Sequence, residues 1–92
     1  MDELFLSLHT PGDVRKGIGE LVKAMRQSRK ITQDQLAKSL GLTRLTIQKV
    51  ESGKNSNIDT LLLIFQYFEI LEPFSSFIIE QRNKFADFGS FY

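Results

Sequence analysis

The stretch TQDQLAKSLGLTRLTIQKVESG, Thr32 to Gly53, decides how this chain folds. Thr32 stands three residues before Gln35, so its hydroxyl can accept an amide proton at a helix start while Gln35 reaches back to complete a capping box. Asp34 in the same turn suits the positive end of the helix dipole. The pattern predicts a helix over Gln33 to Leu40 with Leu36, Ala37 and Leu40 inward, and small Ala37 permits a close crossing. Gly41 supplies the left-handed residue that stops it, and Thr43 caps a third short helix that ends near Ser52-Gly53 with Ile47 and Val50 inward.

Two short capped helices around a glycine turn are the helix-turn-helix layout, in which the first helix buttresses the second so that the second can enter a major groove. The outer face of the second helix carries Arg44, Leu45, Gln48 and Lys49. These include side chains able to grip guanine, adenine or a thymine methyl, and they are the candidate base readers. Gln33 at a helix N-terminus and the cap-rich loop Lys54, Asn55, Ser56, Asn57 present donors suited to DNA phosphates.

Working outward, Thr10 and Pro11 read as the cap and first position of a helix to about Ser28. Val14, Ile18, Leu21, Val22 and Met25 recur on one face of it. Gly17 and Gly19 weaken that helix by up to roughly 1 kcal/mol each and imitate a dinucleotide loop, but Val22 stands where its third glycine belongs. Asn57 or Ser56 caps a fourth helix with a stripe of Ile58, Leu61, Leu62, Phe65 and Phe68. Pro73 is expected to open a fifth, with Phe74, Phe77, Ile78 and Phe85 on one side. Leu4 to Leu8 alternates with the period of a strand, which would need a partner from the tail or a second chain; a frayed arm or a helical extension is the alternative. The expected division is an arm or strand over 1–10, a DNA-binding domain over 11–72 and an aromatic helix and tail over 73–92.

With 92 residues, the chain encloses one hydrophobic core. Its 41% hydrophobic and 25% charged residues fit a folded domain and neither a disordered tail nor a membrane span. The absence of cysteine excludes disulfides and thiolate metal sites, and with no export signal at Met1-Asp2-Glu3 a cytoplasmic protein is expected. The net charge of +1 conceals two opposed parts: residues 15–54 hold ten Lys and Arg against Glu20, Asp34 and Glu51, net +7, and the remainder is net −6. A positive segment beside a negative remainder suits a polyanionic partner. Arg29 and Lys30, just before the second helix, are placed to approach the DNA backbone.

Thr32-Gln33, Leu36-Ala37, Gly41, Thr43, Ile47 and Glu51-x-Gly53 resemble the lambda-repressor/Cro family, also called the XRE family, over roughly residues 14–71. The resemblance implies an all-α, five-helix domain that binds a double-stranded operator as a symmetric dimer. It further implies that Gln33 bonds a phosphate, that Arg44, Leu45 and Lys49 read bases, and that Thr32, Thr43 and Thr46 touch phosphates or base edges. Arg26 and Glu51 occupy the positions of an ion pair between the first and third helices. Within the family, the short leader ending Leu-His-Thr-Pro, GIGELVKAMRQSRKITQ and NIDTLLLIFQYFEIL most resemble HipB-type antitoxins, which implies a bacterial or phage-encoded autoregulator with a kinase-like toxin as partner. A phage-type repressor is the alternative, as is a protein-interaction module on the same scaffold; the latter would be free to make the outer helix face acidic or apolar.

The final residues carry Phe74, Phe77, Phe85, Phe88, Phe91 and Tyr92, more ring area than a small five-helix core easily encloses, so a homodimer or partner contact is expected there. No enzyme constellation is assembled. His9 is the single histidine, no metal or cofactor is expected, and Asp87-Phe88-Gly89 matches a kinase triplet by chance, without a glycine-rich loop or catalytic aspartate motif.

Overall fold

The structure, a computed structural model, describes residues 9–54 and 56–89. Five helices occupy most of them: α1 (Pro11–Ser28), α2 (Gln33–Leu40), α3 (Arg44–Glu51), α4 (Ile58–Tyr67) and α5 (Leu71–Gly89). The expected strand over Leu4 to Leu8 lies outside the described residues, among which no strand occurs.

Short side chains start four of these helices. Thr10, Thr32, Thr43 and Asn57 each accept a hydrogen bond from the amide three residues on, and Thr32 with Gln35 forms the reciprocal box. One backbone device ends the same four. After α2 the amide of Leu42 bonds the carbonyl of Ala37 at 2.8 Å and that of Gly41 bonds Lys38 at 3.3 Å, with Gly41 at φ 68°. This is the Schellman closure. The same pair of bonds follows α1, α3 and α4, where the left-handed residue is Lys30, Gly53 and Glu69. At Lys30 and Glu69 a side chain tolerates the position because the closure satisfies two carbonyls and drops Ile31 and Ile70 onto the core.

α5 begins at Leu71, two residues before the expected Pro73. Proline is accepted anywhere in a first turn, where its missing N–H would have found no intrahelical acceptor.

The core comprises Val22, Leu36, Ala37, Ile47, Val50, Ile64, Phe65 and Phe68, with Ile18, Met25, Leu40 and Phe74 packed at its edge. Two expected faces differ from it. On α1, Val14 and Leu21 stay 46% and 39% exposed, because the inward stripe is the narrower one through Ile18, Val22 and Met25. On α4, Ile58 is 69% exposed, and the buried positions are Thr60, Ile64 and Phe65, followed by Phe68 at the C-cap. Leu61 to Phe65 is an unbroken apolar run, so its periodicity could not select a face; contact with the other helices does.

α1 meets α3 more closely than side chains would allow. A Cβ on Gly19 would stand 2.5 Å from the carbonyl oxygen of Val50 and 2.8 Å from that of Glu51. The N-terminal part of α1 is tied to the turn that closes α3 as well: Arg15 Nε donates to the Gly53 carbonyl at 2.8 Å. A Cβ on Gly53, at φ 76°, would meet Lys16 Cγ at 2.9 Å. α3 is thereby held at fixed height against α1 while α2 packs on its other side.

Candidate nucleic-acid interface

Ile47 and Val50 are buried, and this fixes the rotation of α3 about its own axis. Arg44, Leu45, Gln48 and Lys49 then project outward, all exposed, Leu45 at 57%. Among the described residues Arg44 and Lys49 form no salt bridge. The one acid of α3, Glu51, is turned the other way.

Glu51 is engaged three times. Its carboxylate accepts from Arg26 Nε at 2.7 Å, from Arg26 Nη2 at 3.1 Å and from Gln33 Nε2 at 3.1 Å, while Arg26 Nη1 donates to the Ile31 carbonyl at 2.8 Å. The two charged side chains are only 12% and 5% exposed. The hydrogen bond to Glu51 raises the Arg26 pKa above its ordinary value, and the carboxylate charge adds to this against the lowering effect of burial. The guanidinium keeps its proton at any working pH. One cluster thus joins α1, the start of α2 and the end of α3, and it removes from the outer face the single negative charge that α3 carries.

Each flank of α3 is bordered by a helix N-terminus. On one side Lys30, Thr32, Gln33, Asp34 and Arg44 line a hollow at the start of α2. On the other, Leu42, Thr46, Lys49, Ser56, Asn57 and Thr60 line a hollow at the start of α4. The first amides of both helices lack intrahelical acceptors, and the dipole favours an anion there. The hydroxyls of Thr32 and Thr43 accept cap bonds from Gln35 and Thr46, and Thr43 and Thr46 Oγ1 lie 2.9 Å apart, so part of their capacity is internal. Asn57 Oδ1 caps Thr60 and leaves its amide donors outward. Gln33 uses one donor on Glu51 and retains a second. Lys54 is exposed beside α3, and Asn55 lies outside the described residues.

The chain matches the Helix-turn-helix family over residues 22–73, from the middle of α1 to the first turn of α5. It belongs to that family, in its XRE type. Within the helix-turn-helix family, a protein of Methanocella arvoryzae is 41% identical over 72 residues, covering 75% of this chain and 22% of its own length. A second, from Methanospirillum hungatei, is 29% identical over 80 residues, covering 84% of this chain and 26% of its own. Both bear the name "Putative HTH-type transcriptional regulatory protein". The chain therefore spans about a quarter of the length of these curated relatives. Both are archaeal, so the bacterial or phage origin expected from the resemblance finds no support in them.

Several parts of this helix-turn-helix unit were not legible in its sequence. Arg29, placed in the sequence to approach the DNA backbone, has its guanidinium 4.8 Å from the Phe68 ring and 5.3 Å from the Tyr67 ring, at the end of α4. The Gln33 bond to Glu51 was missed because it joins residues 18 apart in sequence. Gly19 had a signal: it lies three residues before Val22 and seven before Arg26, on the face turned toward α3. Asp87-Phe88-Gly89 is the last turn of α5. No helix among the described residues is long and apolar enough to cross a membrane.

Proposed function

We propose that this chain is the sequence-specific DNA-binding unit of a transcriptional regulator, with α3 as the recognition helix. The observation that carries this reading is the outer face of α3: Arg44, Gln48 and Lys49 exposed with Leu45 among them, and Glu51 withdrawn onto Arg26. A protein-interaction scaffold would have no need to clear that face of acid. The flanking hollows at the starts of α2 and α4 suit phosphates on either side of a groove, and the names of the two relatives support regulation of transcription. Thr32, Gln33, Thr43, Thr46, Lys54, Asn55, Ser56 and Asn57 are the positioning contacts in this reading.

Competition binding against single-base variants of a selected operator tests it. Arg44→Ala is expected to weaken operator binding by about 1–3 kcal/mol and to relax preference at one position per half-site. Unchanged sequence preference would remove Arg44 from the base readers. Lys54→Ala, by contrast, is expected to weaken all sequences alike and to lower the slope of log affinity against log salt by about one ion. A slope equal to that of the parent chain would remove the phosphate contact.

The proposal includes a homodimer, in keeping with paired half-sites, whose contact lies in the aromatic C-terminal part, Phe74 to Tyr92. The antitoxin role and kinase-like toxin rest on the leader and helix resemblance alone. Loss of operator repression on deleting a toxin-like neighbouring gene is the observation that would support them.

A further inference from the structure

α5 runs past the body of the domain. Its first turns are anchored, with Phe74 stacked on Phe65 at 4.5 Å and an interplanar angle of 4°. Beyond them Phe77, Ile78 and Phe85 are 60%, 59% and 74% exposed. Beside the anchored end lies an open, almost wholly apolar hollow lined by Pro73, Phe74 and Phe77. The phenylalanines of α5 stand at 74, 77, 85 and 88, a spacing that reads the same in both directions about Gln81. At 3.6 residues per turn all four positions fall within about 40° of the direction of Gln81, on one stripe.

We infer that α5 pairs antiparallel with α5 of a second copy of this chain, each Phe85 filling the hollow of Pro73, Phe74 and Phe77 on the other. This rests on the homodimer reading and names its contact. A two-fold axis at Gln81 exchanges the two ends of the stripe: Phe85 stands about 12 Å along the helix from Phe77 at the edge of the hollow, and the axis lies midway. Each copy thus carries both the knob and the hole. Charge agrees with this direction. Glu80 and Lys84 lie on the same edge of the stripe, already 4.0 Å apart within one chain, and the axis sets Glu80 of one copy about 3 Å along from Lys84 of the other. A parallel pairing would set hollow against hollow and force the two domain bodies, both at the N-terminal end of α5, into the same space. One helix pair is a small interface, near or below about 1,200 Å², so dissociation in the micromolar range is expected.

Sedimentation equilibrium of the full chain without DNA tests the inference. The parent chain is expected to dimerise. Phe85→Glu is expected to raise the dissociation constant at least tenfold with helix content unchanged by circular dichroism, since the Phe85 side chain is exposed within its own chain. Glu80→Lys and Lys84→Glu are each expected to weaken the dimer, and together to restore it. A dimeric parent with an equally dimeric Phe85→Glu variant would place the contact elsewhere, overturning this inference and leaving the homodimer reading intact. Rescue of Glu80→Lys by Arg82→Glu in place of Lys84→Glu would mean parallel helices and equally overturn it. A parent chain monomeric at hundreds of micromolar would overturn both, with the stripe then covered by some other protein surface.

Discussion

Glu51→Ala is expected to lower the unfolding free energy by about 3–5 kcal/mol, a large share of the roughly 5–14 kcal/mol available to a domain of this size. The cost is not the loss of an attractive pair as such. Arg26 cannot shed its proton, its side chain is 12% exposed, and without the carboxylate two of its nitrogens face a cavity with nothing to accept their protons. Gln33 loses the same acceptor. Replacing both members, with Arg26→Met and Glu51→Leu, is expected to cost less than Glu51→Ala alone, because the desolvation of two charges disappears with them. Urea unfolding of the three variants and the parent chain measures this. A loss below about 1 kcal/mol for Glu51→Ala would put the pair in the class of solvent-screened surface bridges and remove it as the clamp on α3.

Gly19→Ala carries the second large expectation, and here two opposing effects can be ranked. In a solvent-facing helix interior the change would gain up to about 1 kcal/mol from alanine's better helix propensity. At position 19 the new methyl would lie 2.5 Å and 2.8 Å from two backbone carbonyl oxygens of α3, which cannot swing aside as a side chain can. Separating α1 from α3 would strain the Arg26–Glu51 bonds and open the core at Val22. A net loss of about 3 kcal/mol is expected, a fall in melting temperature of roughly 12–24 °C. Gly12→Ala is the control, since its Cβ would meet nothing nearer than the Thr10 hydroxyl at 3.8 Å. It should melt at or above the parent temperature. A Gly19→Ala variant as stable as the parent would show that the crossing relaxes and that the glycine is not what sets it.

Both substitutions reach the outer face of α3 without touching it. In the proposed reading, Arg44 and Lys49 reach base edges only if the helix beneath them is held in rotation and height. The rotation comes from Ile47 and Val50, the height from Gly19 and Arg15, and the end of the helix from Arg26 through Glu51.

The starts of α1 to α4 and the stop of α2 were written in the sequence because each depends on atoms within five residues of one another. A threonine or asparagine oxygen reaches the amide three residues on, and a glycine takes the left-handed turn at no steric cost. The outward position of Arg44, Leu45, Gln48 and Lys49 was equally legible, since alternating buried and exposed positions on a short helix leave a single rotation. Tertiary structure decided what local bonding leaves degenerate. Leu61 to Phe65 offers every face of α4 to the core, and only packing against α2 and α5 selects Ile64 over Ile58. Lys30 and Glu69 carry no glycine to announce a left-handed turn, and they adopt one because Ile31 and Ile70 must reach the core. Gln33 and Arg29 each find partners, Glu51 and the Phe68 ring, that lie far along the chain and come near only when the helices pack. Local bonds within a few residues set where these helices begin and end, and the close approach of one backbone to another sets which faces remain for a partner.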